Sequence, residues 1–161
     1  MRYIQKQPTP QFFIDDTQGL DTWKSYGKRG EKRRLKAHIL ENEQFHLCVY
    51  CEGRVEVDAS HLEHIKPKAS HMYPELMFAY ANLAVSCNGT LFNADDDNKS
   101  RHCGHKKDSE YDQDNFIDPT CTTDVVDYFC FDLDDHTILP TPKKPQSAQY
   151  TINVLRLIVP V

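Results

Sequence analysis

Apolar and polar positions divide the chain into short segments. Residues 1–19 hold no sustained period and carry Pro8 and Pro10, which predicts extended or irregular chain. Asp21 can cap a short helix that turns Leu20 and Trp23 inward, and Gly27 and Gly30 interrupt it. Over residues 31–45, Leu35, Ile39 and Leu40 fall near i, i+4 spacing, which predicts a helix whose opposite face is basic. Residues 48–51 form a tight turn. Residues 54–58 and 61–65 read as two short strands around Ala59-Ser60, the second stopped by Lys66-Pro67. Residues 74–80 predict a short helix, 82–87 a strand, 93–100 a polar loop and 101–108 the opening of a helix. Farther on, 125–131 reads as a strand and 138–145 as a proline-rich stretch. Residues 150–161 begin as helix or strand and end apolar, in Leu157-Ile158-Val159-Pro160-Val161. No internal repeat appears.

Charge adds a polarity to this pattern. The net charge is −5. Residues 24–38 nevertheless set seven cations (Lys24, Lys28, Arg29, Lys32, Arg33, Arg34, Lys36) against Glu31 alone. Residues 108–136 hold ten acids and no Lys or Arg. The first run fits a phosphate backbone and the second repels one, although either is also what a solvated face looks like. The acidic run interleaves Tyr128, Phe129 and Phe131, the composition of a protein interface rather than a DNA track.

At 161 residues the chain is one domain's worth, and with 39% hydrophobic against 27% charged residues its core invites help from a metal or a partner. No apolar run approaches the roughly 18 residues of a membrane span, and residues 1–5 lack the apolar core of a signal peptide. A cytoplasmic protein is expected. Six cysteines there point to metal or catalysis before disulfides.

Cys48-Val49-Tyr50-Cys51 is a C-x2-C knuckle, and two thiolates so spaced can hold one tetrahedral ion from a single turn. Cys87 and Cys103, 16 residues apart, are the candidate second pair. His102 or His105 could replace one thiolate, but four cysteines leave a histidine free for chemistry. Cys121 and Cys130 belong to no motif and are expected in the core. Between the two pairs runs Ser60-His61-Leu62-Glu63-His64-Ile65-Lys66-Pro67. A carboxylate suits a hard divalent ion, and a neutral imidazole suits a general base; phosphodiester hydrolysis needs both. His61 shares the strand face of Glu63 and reads either as a companion at the metal or as a packed strand histidine. His38, His46, His71 and His136 are expected to be ordinary surface or loop histidines.

The ordered set resembles the zinc-knotted HNH endonucleases, and most closely the HNH proteins of retron and Septu-type antiphage systems (the PtuB-like group). The phrases that carry it are Met1-Arg2-Tyr3-Ile4, Glu43-Gln44, Cys48-Val49-Tyr50-Cys51-Glu52 and Glu63-His64-Ile65-Lys66-Pro67-Lys68. Asn82-Leu83, Cys87-Asn88-Gly89 and His102-Cys103-Gly104-His105-Lys106-Lys107 complete them. They cover residues 1–110. The resemblance implies an α+β fold with a ββα-metal core, N-terminal helices and a C-terminal extension. It implies His64 as general base, Asn82 as the brace of the loop that aims it, and Glu63 and His105 as ligands of a catalytic Mg²⁺ or Mn²⁺. It implies structural zinc on Cys48, Cys51, Cys87 and Cys103, a DNA substrate and a PtuA-like ATPase as partner. The expected organisation is a basic helical segment at 1–45, a nuclease core at 46–110 and an acidic, partner-docking extension at 111–161. Lys28, Arg29, Lys32, Arg33, Arg34 and Lys36 are the expected DNA contacts. The competing expectation is a zinc-binding module that docks on an ATPase or a nucleic acid and does no chemistry.

Overall fold

A computed structural model describes residues 1–28, 30–69, 71–89, 101–134 and 137–157. Arg29, the loop 93–100, Asp135, His136 and the tail 158–161, all named above, lie outside the described residues.

Two five-residue strands organise the fold. Ser60–His64 (β1) pairs antiparallel with Leu83–Cys87 (β2), with Ser60 opposite Cys87 and His64 opposite Leu83. Leu83, Ala84 and Val85 are fully buried. The chain before β1 was expected to be its hairpin partner; instead residues 54–58 contribute only an isolated bridge, Leu47 to Arg54. The segment 54–58 is short, and β2, buried over Leu83–Ser86, offers β1 a ladder partner inside the core.

The free edge of β2 is covered by a side chain. Gln44 accepts from the Val85 N–H at 2.7 Å and donates to the Val85 and Leu47 carbonyls at 2.8 Å, replacing a strand's hydrogen bonds. Gln44 is placed there by helix α2 (Glu31–Ile39), which runs on through a π-helical turn, Leu40–Gln44. Leu35, Ile39 and Leu40 bury against the sheet, as their spacing predicts. A shorter helix, α1 (Gln11–Thr17), forms where irregular chain was expected: Pro10 starts it and Phe13 anchors it in the core.

Residues 74–82 form two 3₁₀ turns, Pro74–Leu76 and Tyr80–Asn82, in place of one helix. Cys103, at φ +54°, leads into a single helical turn, α3 (Gly104–Lys107). The C-terminal part adds a two-stranded sheet, β3 (Phe129–Phe131) with β4 (Ile138–Pro140), and helix α4 (Pro145–Leu155). Helix α4 packs inward through Ala148, Thr151, Ile152, Val154 and Leu155, and the Leu155 carbonyl accepts from the Cys103 N–H at 2.7 Å. Cys121 and Cys130 are exposed, not core residues as expected; the segments carrying them pack through Ile117, Val125 and Tyr128 instead. No helix among the described residues is long and apolar enough to cross a membrane.

Candidate metal centres and active-site cleft

The C-x2-C knuckle is closed by the Cys48 N–H on the Gly53 carbonyl (2.9 Å) and docked on β2 by the Val49 N–H on the Val85 carbonyl (3.1 Å). Cys87 ends β2, and its N–H donates to Cys48 Sγ at 3.3 Å. Gly89, at φ +63°, lets the chain meet His102: the His102 N–H reaches the Gly89 carbonyl at 2.9 Å, and a Cβ at residue 89 would collide with the His102 carbonyl. That contact brings in Cys103. The Sγ atoms of Cys48, Cys51, Cys87 and Cys103 all lie within 4.8 Å of one another, with Cys51 and Cys87 3.9 Å apart. Sulfurs at about 2.3 Å from one tetrahedral ion stand about 3.8 Å apart, so the four thiols fit a closed tetrahedral site. Hydrogen bonding among the four thiols draws the Cys48 thiol well below the usual range and pushes the Cys103 thiol well above it, so the four behave as one proton-sharing cluster. His102 Nδ1 stands 3.1 Å from Cys103 Sγ, at the rim. His105 faces elsewhere, so the cysteine set needs neither histidine.

The second site is a cleft of about 600 Å³ lined by His61, Glu63, His64, Lys68, Gly104 and His105 among others. Glu63 is its buried centre. Tyr50 Oη donates to Glu63 Oε1 at 3.0 Å, and Lys107 Nζ pairs with the same oxygen at 3.0 Å. Both donors come from the metal knuckle and its flank: Tyr50 sits inside the C-x2-C turn, and Lys107 ends α3. Lys107, itself buried, also donates to the His64 carbonyl at 3.2 Å and pins the end of β1. Burial alone would raise the Glu63 carboxyl; hydrogen bonding with His61 and the Lys107 charge outweigh it and hold the group below its usual range. Oε1 is therefore saturated and Oε2 is turned toward the cleft.

The His64 ring is ordered by two neighbours, with Asn82 acting behind them. Its Nε2 donates to the Met77 carbonyl at 3.0 Å, which leaves Nδ1 with the lone pair. The Trp23 ring stands edge-on to it at 4.4 Å. Burial lowers its pKa to about 4, against a smaller opposing effect of the Met77 carbonyl, so the imidazole is neutral at pH 7. Asn82 accepts from the Lys66 N–H at 2.8 Å and donates to the Lys66 carbonyl at 2.9 Å, and its Nδ2 reaches the Leu76 carbonyl at 3.4 Å. It thus ties the chain after His64 to the turn that presents Met77. His105 donates from Nδ1 to the Asn88 carbonyl at 2.6 Å, which frees Nε2, and stacks on His61 at 4.1 Å with 12° between planes.

The chain is 38% identical over 134 residues to a protein of Vibrio cholerae serotype O1 biovar El Tor named "Retron Vc95 putative HNH endonuclease". The retron HNH resemblance read from the sequence is borne out. The match takes in 79% of this chain and 58% of the relative, so the chain spans under two thirds of the relative's length. No family model matches the chain.

The cleft gathers His64, Glu63 and His105 as the resemblance implies, with Asn82 behind them. The basic stretch is less unified. Arg33 pairs with Asp58 (2.9 Å) and Arg34 with Asp16 (2.6 Å), while Lys36 Nζ donates to the Val57 and Ser60 carbonyls. Lys28 is exposed, and Lys32 Nζ lies 5.0 Å over the Trp23 ring. Sequence reasoning missed Tyr50, Lys107, Trp23, Lys68 and Arg101. Tyr50 was locatable, since any residue inside a knuckle is aimed by it. Lys68 and Lys107 stand within the phrases that carry the resemblance and Trp23 was read as turned inward, but nothing local gives their roles or that of Arg101, because packing alone sets them at or behind the cleft.

Proposed function

We propose that this chain is a metal-dependent HNH endonuclease that hydrolyses phosphodiester bonds in DNA. The observation that carries it is His64: a neutral imidazole with its lone pair on Nδ1, held on a cleft beside the buried Glu63 carboxylate. His64 Nδ1 takes a proton from water; the resulting hydroxide forms the new bond to phosphorus as the bond to the leaving oxygen breaks. Glu63 and His105 would hold a divalent ion, Mg²⁺ or Mn²⁺, which supplies charge stabilisation at the phosphate and the leaving oxygen. Asn82 positions His64 through Lys66 and Met77. We read β1, β2 and α3 as the strands and helix of a ββα-metal core, and the ion on Cys48, Cys51, Cys87 and Cys103 as structural zinc. Lys68 and Arg101 line the cleft and join Lys28, Arg29, Lys32, Arg33, Arg34 and Lys36 as phosphate contacts, with Lys36 the least free to serve.

The organisation follows: residues 46–110 carry the chemistry, 1–45 the basic face, and 111–161 the docking surface. The last rests on Val126, Phe131, Leu133 and Leu139, apolar side chains exposed on the acidic part of the chain. Together with the relative's retron name, this supports an effector of an antiphage system in the cytoplasm, held in check by a PtuA-like ATPase. Incubation of plasmid DNA with the protein and Mg²⁺ or Mn²⁺, with His64→Ala as control, tests the activity. Equal cleavage by both proteins refutes the His64 assignment. No cleavage by either, alone or with the ATPase, returns the chain to a non-catalytic zinc module.

A further inference from the structure

The side of the cleft next to Glu63 holds a feature that neither His64 nor Asn82 explains. His61 Nε2 lies 3.4 Å from Glu63 Oε2. A charge-assisted hydrogen bond is shorter, about 2.7–2.9 Å. Two donors on one divalent ion at about 2.1 Å are spaced roughly 3.0 Å on an octahedral edge and 3.4 Å on a tetrahedral one. The pair makes only a long hydrogen bond, and its separation is that of two ligands on one ion. The other nitrogen, His61 Nδ1, is buried with no hydrogen-bond partner among the described residues, so a hydrogen-bond network does not account for the ring's place. The ring is held instead by its stack on His105.

Gly104 supplies the third observation. A Cβ there would fall 2.5 Å from Glu63 Oε2 and 2.6 Å from His61 Nε2. The missing side chain leaves a cradle bounded by a carboxylate oxygen and an imidazole nitrogen, with Oε1 of the same carboxylate already taken by Tyr50 and Lys107. Gly104 also separates Cys103, at the structural site, from His105, at the cleft.

Resting on the metal-nuclease reading above, we propose that His61 is a protein ligand of the catalytic ion, which sits in the Gly104 cradle between His61 Nε2 and Glu63 Oε2; His105, whose ring is stacked parallel to His61, completes the set by turning out of that stack so that its in-plane lone pair meets the ion. Two imidazoles and one carboxylate are a donor set for a divalent transition ion such as Mn²⁺, ahead of Mg²⁺, which prefers oxygen and retains its water.

The test uses the full chain with its structural zinc in place and Mn²⁺ as the probe, since Mn²⁺ does not compete with zinc for four thiolates. Binding is measured by calorimetry, and pulsed electron paramagnetic resonance counts the histidine nitrogens on bound Mn²⁺. Wild type is expected to bind about one Mn²⁺ more than tenfold tighter than Mg²⁺, with two nitrogens coupled. His61→Phe keeps the stack on His105 and removes the nitrogen; it should weaken Mn²⁺ at least tenfold and leave one nitrogen. Gly104→Ala should abolish binding, and unchanged zinc content and Trp23 fluorescence show that the variants fold. If Glu63→Ala abolishes binding while His61→Phe binds within twofold of wild type with two nitrogens, His61 is not a ligand and the metal-nuclease reading survives. If wild type binds no Mn²⁺, that reading falls first, and this inference with it.

Discussion

Replacing Asn82 by Ala removes the brace behind His64 while touching neither the cleft nor the metal ligands. The side chain is buried and makes two short hydrogen bonds to the backbone of one residue, Lys66 N–H at 2.8 Å and Lys66 C=O at 2.9 Å. Each is worth about 1 kcal/mol net, and each peptide group left without a partner costs about 1–3 kcal/mol. Lys66 is only half-buried, so water recovers part of that loss. The expected destabilisation is about 2–4 kcal/mol. The effect on chemistry is separate. The Leu76 carbonyl, also held by Asn82, precedes Met77, whose own carbonyl fixes the His64 tautomer. Release of that turn lets Nδ1 swing, and cleavage should fall by about 10-fold to 100-fold at temperatures where the variant is folded. Urea unfolding can be followed by Trp23, the one tryptophan in the chain, which lies 4.4 Å from the His64 ring. Plasmid cleavage is then compared at matched folded fraction. Lost stability with unchanged cleavage would make Asn82 a scaffold residue only, and no change in either would refute the brace.

Other substitutions separate the two proposed metal centres. Cys48→Ser should release the structural ion and unfold the chain, since such sites contribute on the order of 10–16 kcal/mol; folded, soluble variant protein with no zinc would disprove the role. His64→Ala should lose about 10²–10⁴-fold in cleavage with zinc content intact, measured side by side with wild type. Acid should act through His64 in a defined window. Its folded pKa, about 4, lies below the unfolded 6.5, so stability is complete above pH 6.5 and is lost, by roughly 3 kcal/mol, as pH falls toward 4. The difference between wild type and His64→Gln in unfolding at pH 7 and pH 5 reads this, and a difference that does not change with pH would show that His64 is not buried neutral. Replacing Phe131 and Leu133 by Ser should leave cleavage unchanged and weaken co-purification with a partner ATPase; undiminished co-purification would move the dock elsewhere.

What the sequence determined by itself is the set of candidate chemical groups and the strong local elements. The C-x2-C turn, the Glu63-His64 pair, the helix carrying Leu35, Ile39 and Leu40, and the buried strand at 83–87 are all short-range patterns, set by spacing and periodicity. Even the Glu43-Gln44 phrase, quoted only for its resemblance, has a local cause, since the end of α2 delivers Gln44 to β2. Three things lay beyond it. The partner of β1 lies well along the chain, Ser86 opposite His61 at 25 residues' distance and not the adjacent 54–58, because burial of β2 outweighs the ease of a local hairpin. Helix α4, part of the 111–161 stretch read as a partner-docking extension, supplies the Leu155 carbonyl that holds Cys103, so its removal would disturb the four-cysteine cluster. The Glu63 carboxylate is oriented by Tyr50 and Lys107, 13 residues before it and 44 after it. The knuckle marks Tyr50 as an aimed residue, but no pattern says what either donor meets, because hydrogen-bond satisfaction of a buried charge is decided by which groups packing leaves within about 3 Å, and that is a property of the tertiary structure alone.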